Sequence, residues 1–178
     1  MAAGSNARRR RDVAQFVERF ADVLVEAGIP RMPARVFVAL LVTDSGRLTA
    51  AELGERLTVS PAGVSGAVRY LIQLDLVTRE RDPGSRRDHY RLRDDVWYEA
   101  SVRREATLER WRERLQEGLV ALGPATPAGR RIAESLAFTV FVEQELPALL
   151  GRWQQDKARL VTAALTRRQA AAPATRPP

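Results

Sequence analysis

The residues best suited to chemistry lie between Ser60 and Gln73 and again between Arg79 and Arg93. Ser60 followed by Pro61 is a helix-opening pair, a side-chain cap before a first-turn proline. At about 100° per residue, Val64, Val68, Leu71 and Asp75 fall within about 40° of one line, and the three apolar residues point to a core. The opposite line carries Ala62, Gly66, Arg69 and Gln73, flanked by Ser65 and Tyr70. Small residues there let a backbone approach a partner closely, and Arg69 and Gln73 can reach base edges or phosphates. Glycine in a helix costs about 1 kcal/mol relative to alanine, which a close partner offsets. For Gly66 that partner is read as DNA. For Gly63, DNA and a tight helix contact within the domain serve equally well.

The second basic element is the run 79–93, with Arg79, Arg81, Arg86, Arg87, Arg91 and Arg93 against Glu80, Asp82 and Asp88. Asp82-Pro83-Gly84-Ser85 is a turn cluster between two short β-prone runs, so a hairpin is expected. Arg86 and Arg87 directly follow the turn and should reach toward a minor groove or a phosphate backbone. Arg91 and Arg93 have Asp88, Asp94 and Asp95 nearby in sequence and are expected to pair with acids.

Other chemistry is largely excluded. Cysteine is absent and His89 is the one histidine. Thiolate nucleophiles and thiolate metal sites are out, and a zinc site or a serine triad would depend on His89 alone. No glycine-rich phosphate loop is present, so no catalyst and no cofactor or metal site is nominated. The net charge of +7 arises from 29 basic residues, all arginine except Lys157. Arginine suits bidentate phosphate recognition, and a basic chain without a secretory signal or a long apolar run points to nucleic acid in the cytoplasm rather than to a membrane.

These side chains need a scaffold. Apolar spacing predicts helices from Asp12 to about Ala27, from near Pro33 to Leu41, from Thr49 to Leu57 and from Ser60 to about Leu74. Thr49 with Glu52 forms a capping box, and Leu48 before it leaves room for a short strand. A short helix, the turn Thr58-Val59 and a longer helix make a helix-turn-helix, and the basic hairpin beside it is its wing. Helical spacing returns from Val96 to Leu122, where Leu108, Trp111, Leu115 and Leu122 approach the repeat of a helix-pairing seam. Gly123-Pro124 breaks it. A last helix runs from Ala128 toward Gln169, with a kink or restart expected at Pro147.

The segments Gly28-Ile29-Pro30-Arg31-Met32-Pro33, Leu48-Thr49-Ala50-Ala51-Glu52-Leu53, Val59-Ser60-Pro61-Ala62-Gly63-Val64-Ser65, Leu74-Asp75-Leu76-Val77 and Asp82-Pro83-Gly84-Ser85-Arg86-Arg87 resemble the MarR superfamily of bacterial winged-helix regulators, closest to its GbsR-like branch. The resemblance covers roughly residues 10–165 and is strongest over 30–93. Glycine often stands in such turns where this chain has Thr58. The resemblance implies a homodimer with interlocked terminal helices. It carries over Ser60, Pro61, Ala62, Ser65 and Arg69 as recognition-helix contacts and Arg86 as the wing-tip contact. It also implies a space for a small aromatic or hydrophobic effector, for which Trp97, Tyr98, Trp111, Phe138, Phe141 and Trp153 are candidates, although plain packing explains any one of them better.

The expected architecture is therefore mainly α. A disordered basic segment (1–11) precedes an N-terminal dimerisation helix (12–29) and a winged helix-turn-helix (30–95). A helical dimerisation region (96–169) and a disordered tail (170–178) follow. The expected function is a sequence-specific transcriptional regulator, a repressor, that binds a pseudo-palindromic DNA duplex. The competing reading is a winged-helix adaptor that binds protein, but an adaptor has no need of arginine on both the helix face and the wing.

Overall fold

The computed structural model describes residues 2–84 and 87–171; for residues 2, 3, 61, 99–106 and 168–171 it describes the backbone alone. In chain order the elements are α1 (Ala2–Glu26), α2 (Arg31–Leu41), β1 (Arg47–Thr49), α3 (Ala50–Leu57), α4 (Pro61–Gln73), β2 (Val77–Arg81), β3 (Asp88–Leu92), α5 (Val96–Leu122) and α6 (Pro127–Ala171). They fall into two compact units, residues 1–100 and 101–178.

The first unit is built around α2. Val36, Phe37, Val38, Ala39 and Leu40 are all fully or almost fully buried, so the second half of this helix is enclosed on every side. Around it pack Val17, Ala21 and Leu24 of α1, Leu53 and Leu57 of α3, and Val64, Ala67, Val68 and Leu71 of α4. The sheet has the order β1-β3-β2, antiparallel throughout. β1 gives the hairpin a third strand, the support that a lone hairpin lacks. The register sets Arg91 opposite both Arg47 and Thr78. Glu80 relieves the like-charge pair, since it accepts from Arg91 Nε at 2.7 Å and lies 3.9 Å from Arg47 Nη1.

Local chemistry sets the boundaries. Thr49 and Glu52 form the expected capping box on α3. Ser60 Oγ accepts from the Gly63 amide at 3.4 Å and opens α4. Three helices end in the same motif. Ile29 N donates to Leu24 O, Val59 N to Gly54 O and Leu76 N to Leu71 O. Each turns through a left-handed residue: Gly28, Thr58 and Asp75. Asp75 thus lies just past α4 and does not extend its apolar line.

The second unit is an antiparallel pair formed by the C-terminal part of α5 and by α6. Arg112 Nε meets Glu143 Oε2 at 3.1 Å, and a Cβ on Gly118 would contact Ile132 at 3.8 Å. The turn between the helices is tight. Thr126 Oγ1 accepts from Gly129 N at 2.9 Å, and a Cβ on Gly129 would sit 1.9 Å from the Gly123 carbonyl.

Several boundaries depart from the sequence reading. Residues 2–11, expected to be disordered, are the first turns of α1. Alanine and four consecutive arginines are good helix formers, and no proline interrupts them. The last helix continues past Gln169 to Ala171, and it does not restart at Pro147, which is inside a single helical span. The remainder of the tail, 172–178, lies outside the described residues. No described helix is long and apolar enough to cross a membrane.

Candidate nucleic-acid interface

α4 presents two faces. Val64, Ala67, Val68 and Leu71 are buried, whereas Ala62, Ser65, Gly66, Arg69 and Gln73 are exposed. The computed face and the observed one coincide because one strong apolar stripe fixes the helix rotation. Arg69 makes no ion pair with any described residue, so its guanidinium is available to a partner. A Cβ on Gly66 would meet nothing within 4 Å, and one on Gly63 would meet only Ser60 Oγ at 3.7 Å, an ordinary contact. Packing within the chain therefore requires glycine at neither position, and tight intradomain contact does not explain them. Ser60 serves as the cap. Pro61 is the first residue of α4, and its side chain lies outside the described residues.

Four of the described arginines of the wing are held by acids. Asp88 accepts from Arg79 and from Arg81, the latter at 2.9 Å from Nη2 and 3.0 Å from Nε. Arg47 grips Asp82 with both terminal nitrogens, at 3.2 and 2.7 Å. These hydrogen bonds hold the Asp82 and Asp88 carboxyls below the usual aspartate range. Arg91 and Arg93 are paired, as expected, but with other acids. Arg91 takes Glu80 across the hairpin, and Arg93 reaches Asp75 at 3.3 Å. Arg87 is exposed after the turn. Arg86 and Ser85 lie outside the described residues. His89 is on β3 with Nδ1 3.6 Å from Asp82 Oδ2, a structural position.

Sequence reasoning missed Arg35. It is an arginine between Ala34 and Val36, beside the most apolar run of α2, and that setting is the available signal. Its guanidinium joins Glu18 of α1 to the Leu57 carbonyl at the end of α3.

The candidate ligand residues fall in both units. Trp97 meets Phe37 edge-on, with ring centroids 5.6 Å apart, and Tyr98 follows it in the first unit. Trp111 and Phe138 belong to the second unit and line a groove of about 650 Å³ with Arg114, Leu115, Glu134, Ser135 and Thr139. Phe141 is exposed and is not among its lining residues. Among the described residues no cluster of histidine, aspartate and glutamate is placed to hold a metal ion.

Comparison with known proteins agrees with this geometry. Residues 27–88 match the profile of the MarR family, and residues 95–156 that of the MmpR5-like MarR family transcriptional regulators. The sequence motifs suggest the GbsR-like branch, and the profile that matches residues 95–156 is the MmpR5-like one. HTH-type transcriptional regulator MmpR5 of Mycobacterium tuberculosis (strain ATCC 25618 / H37Rv) is 30% identical over 145 residues, which span 81% of this chain and 88% of that protein. A crystal structure of a transcriptional regulator superposes with a TM-score of 0.72 at 30% identity, covering 81% of this chain and 99% of that one. With a winged-helix fold and a relative of this extent, the chain belongs to the MarR family of transcriptional regulators.

Proposed function

We propose that this regulator, which like the rest of its family is not an enzyme, is a cytoplasmic repressor that binds double-stranded DNA as a homodimer. α4 enters the major groove with Ala62, Ser65 and Gly66 against the backbone and Arg69 and Gln73 toward base edges. Arg86 and Arg87 follow the adjacent backbone. The observation that carries this reading is the outward face of α4: glycine with open space beyond it, followed by an unpaired exposed arginine. A protein-binding adaptor would have no use for that combination.

Dimerisation is supported by the second unit, where Trp111, Val120, Phe138 and Phe141 are 58–85% exposed. A second copy would cover them, and twofold symmetry would space two recognition helices about 34 Å apart on a pseudo-palindromic site. The groove between Trp111 and Phe138 is where a small hydrophobic or aromatic effector would bear on that dimer and relieve repression.

Footprinting on the DNA upstream of its own gene tests the reading. Protection of a pseudo-palindrome with half-site centres about 10 base pairs apart is expected. Arg69→Ala should weaken specific binding by about 1–3 kcal/mol and flatten discrimination at one position per half-site. Equal loss on random DNA would reduce Arg69 to a phosphate contact. Absence of any protected site would sink the DNA-binding reading.

A further inference from the structure

The turn that launches α4 is held from outside the helix-turn-helix. Arg35 of α2 donates from Nε and Nη2 to Glu18 Oε1, at 2.9 and 2.7 Å, and Nη2 also donates to the Leu57 carbonyl at 3.0 Å. The Arg35 side chain is 18% exposed, so these charge-assisted bonds are partly withdrawn from water. Nη1 rests on Met32 Sδ at 3.6 Å. One guanidinium thus touches α1, its own helix and the last residue of α3.

The Leu57 carbonyl matters because of its place at the end of α3. A helix end leaves carbonyls without intrahelical partners. In α3 the Gly54 and Glu55 carbonyls are taken by Val59 N and Thr58 N. The Leu57 carbonyl is taken by Arg35. Next comes Thr58 at φ 55°, a branched residue in a region that favours glycine. Val59 is next, and its carbonyl would lie only 3.2 Å from a Cβ on Gly54. Ser60 then caps α4. Only Thr58, Val59 and Ser60 separate the peptide that Arg35 grips from the recognition helix. Rotation of that peptide therefore passes directly into the direction of α4.

We propose that Arg35 is the positioning residue of the recognition helix: it fixes the entry of α4 through the Leu57 carbonyl and references that entry to α1 through Glu18. The proposal rests on the reading that α4 enters a DNA groove. Arg35 itself contacts no DNA. Its side chain extends along the inside of the unit, between α1 and the end of α3. Its substitution should therefore degrade the aim of α4 without removing a phosphate contact. Lysine cannot replace it, because a single ammonium lacks the planar fork that reaches two acceptors on different elements.

Two measurements on the full chain test this. The first needs no DNA. Amide hydrogen exchange followed by mass spectrometry should be faster by about tenfold or more over 57–64 in Arg35→Met and Arg35→Lys, as expected for loss of a hydrogen bond to a charged group. Segments 77–92 and 112–150 should stay within about twofold of wild type. Glu18→Gln keeps an acceptor for Arg35 and should fall between wild type and Arg35→Lys. The second uses a duplex that the wild-type protein enriches from a random pool. The ratio of affinity for that duplex to affinity for random DNA should fall by about tenfold in Arg35→Lys, with the slope of log affinity against log salt unchanged. A slope that shrinks would make Arg35 a phosphate contact and overturn the proposal. So would unchanged exchange over 57–64, faster exchange spread equally over every segment, or discrimination equal to wild type. If wild type enriches no duplex, the DNA-binding reading fails, and the exchange experiment still decides whether Arg35 sets the turn. If Arg35→Met does not fold, Arg35→Lys and Glu18→Gln carry the same comparison.

Discussion

The two units of this chain differ in how many of their large apolar side chains they bury. In the first, Phe37, Leu40, Leu53 and Leu71 are buried to 2% exposure or less. In the second, Leu150 is the one large apolar side chain buried among the described residues, while Trp111, Phe138 and Phe141 are open to solvent. The difference follows from geometry. Four helices and a sheet enclose a volume, so five successive residues of α2, Val36 to Leu40, can all be buried. Two antiparallel helices enclose only the line between them, and every other face stays wet. The winged unit is thus equipped to fold on its own contacts, whereas the helical pair carries more apolar surface than it can cover.

This contrast has a direct test. Phe37→Ala should cost about 3–5 kcal/mol of unfolding free energy, the range for a fully buried aromatic whose cavity cannot collapse. Denaturant melts followed by circular dichroism would measure it. Phe138→Asp should barely alter the folding of the first unit, because no buried contact there is lost. It should instead shift the sedimentation mass from about twice the 19.9 kDa chain mass toward the chain mass. A Phe138→Asp protein that sediments like wild type would show that the proposed dimer is closed elsewhere, and a wild type that sediments at chain mass would remove the dimer.

Legibility in the sequence divides along similar lines. Where a signal is local, it was readable. Thr49-Glu52, Ser60-Pro61 and Asp82-Pro83-Gly84 each set a cap or a turn within a few residues, and the stripe Val64, Val68, Leu71 fixed which side of α4 faces out. What escaped was long-range. Arg35 meets Glu18 and Leu57, 17 and 22 positions away, and Arg47 meets Asp82, 35 positions away. Arg91 and Arg93 have acids closer in sequence than the ones they use, because cross-strand register and the end of α4 decide which carboxylate is close in space. The aromatic residues offered as candidates for an effector site fall in both units. Trp97 proves to be a partner of Phe37, and only Trp111 and Phe138 share a groove.

A smaller effect is expected inside the well-packed unit, at the turn of the helix-turn-helix. Thr58 holds φ 55°, which costs an L-residue about 1–2 kcal/mol. Thr58→Gly relieves that strain but adds freedom to the unfolded chain, so a net gain of roughly 0.5–1 kcal/mol is expected. Calorimetry would record it as a rise in melting temperature. A fall would mean that the threonine side chain supplies contacts worth more than its backbone strain.

The smallest effect concerns two acids that flank the turn of the wing, Asp82 and Asp88, and the capping acid of α3, Glu52, all at the surface of the first unit. Asp88 is held below its ordinary value of 3.8 by hydrogen bonds from Arg79 and Arg81, and Asp82 by those from Arg47. Glu52 is held below 4.5, first by the Thr49 backbone amide and then by the Thr49 hydroxyl. A carboxyl whose folded pKa is depressed binds its proton more readily in the unfolded chain. Its contribution is therefore complete above the ordinary value and is lost as pH falls through the lower, folded one. Between neutrality and about pH 5 these three groups should leave the wing and the start of α3 unchanged, and loosening should begin only below about pH 4. Because the pairs are exposed, the change should appear locally, in wing amide exchange, before the core of the first unit responds. Carboxyl carbon NMR gives the site-resolved check. Asp82 and Asp88 should titrate below 3.8 in the native protein. Arg79→Ala combined with Arg81→Ala should move Asp88 up toward its ordinary value and leave Asp82, which answers to Arg47, where it was. An Asp88 that already titrates at its ordinary value in wild type would show that these ion pairs do not persist in solution, and the acid sensitivity of the wing would then need another source.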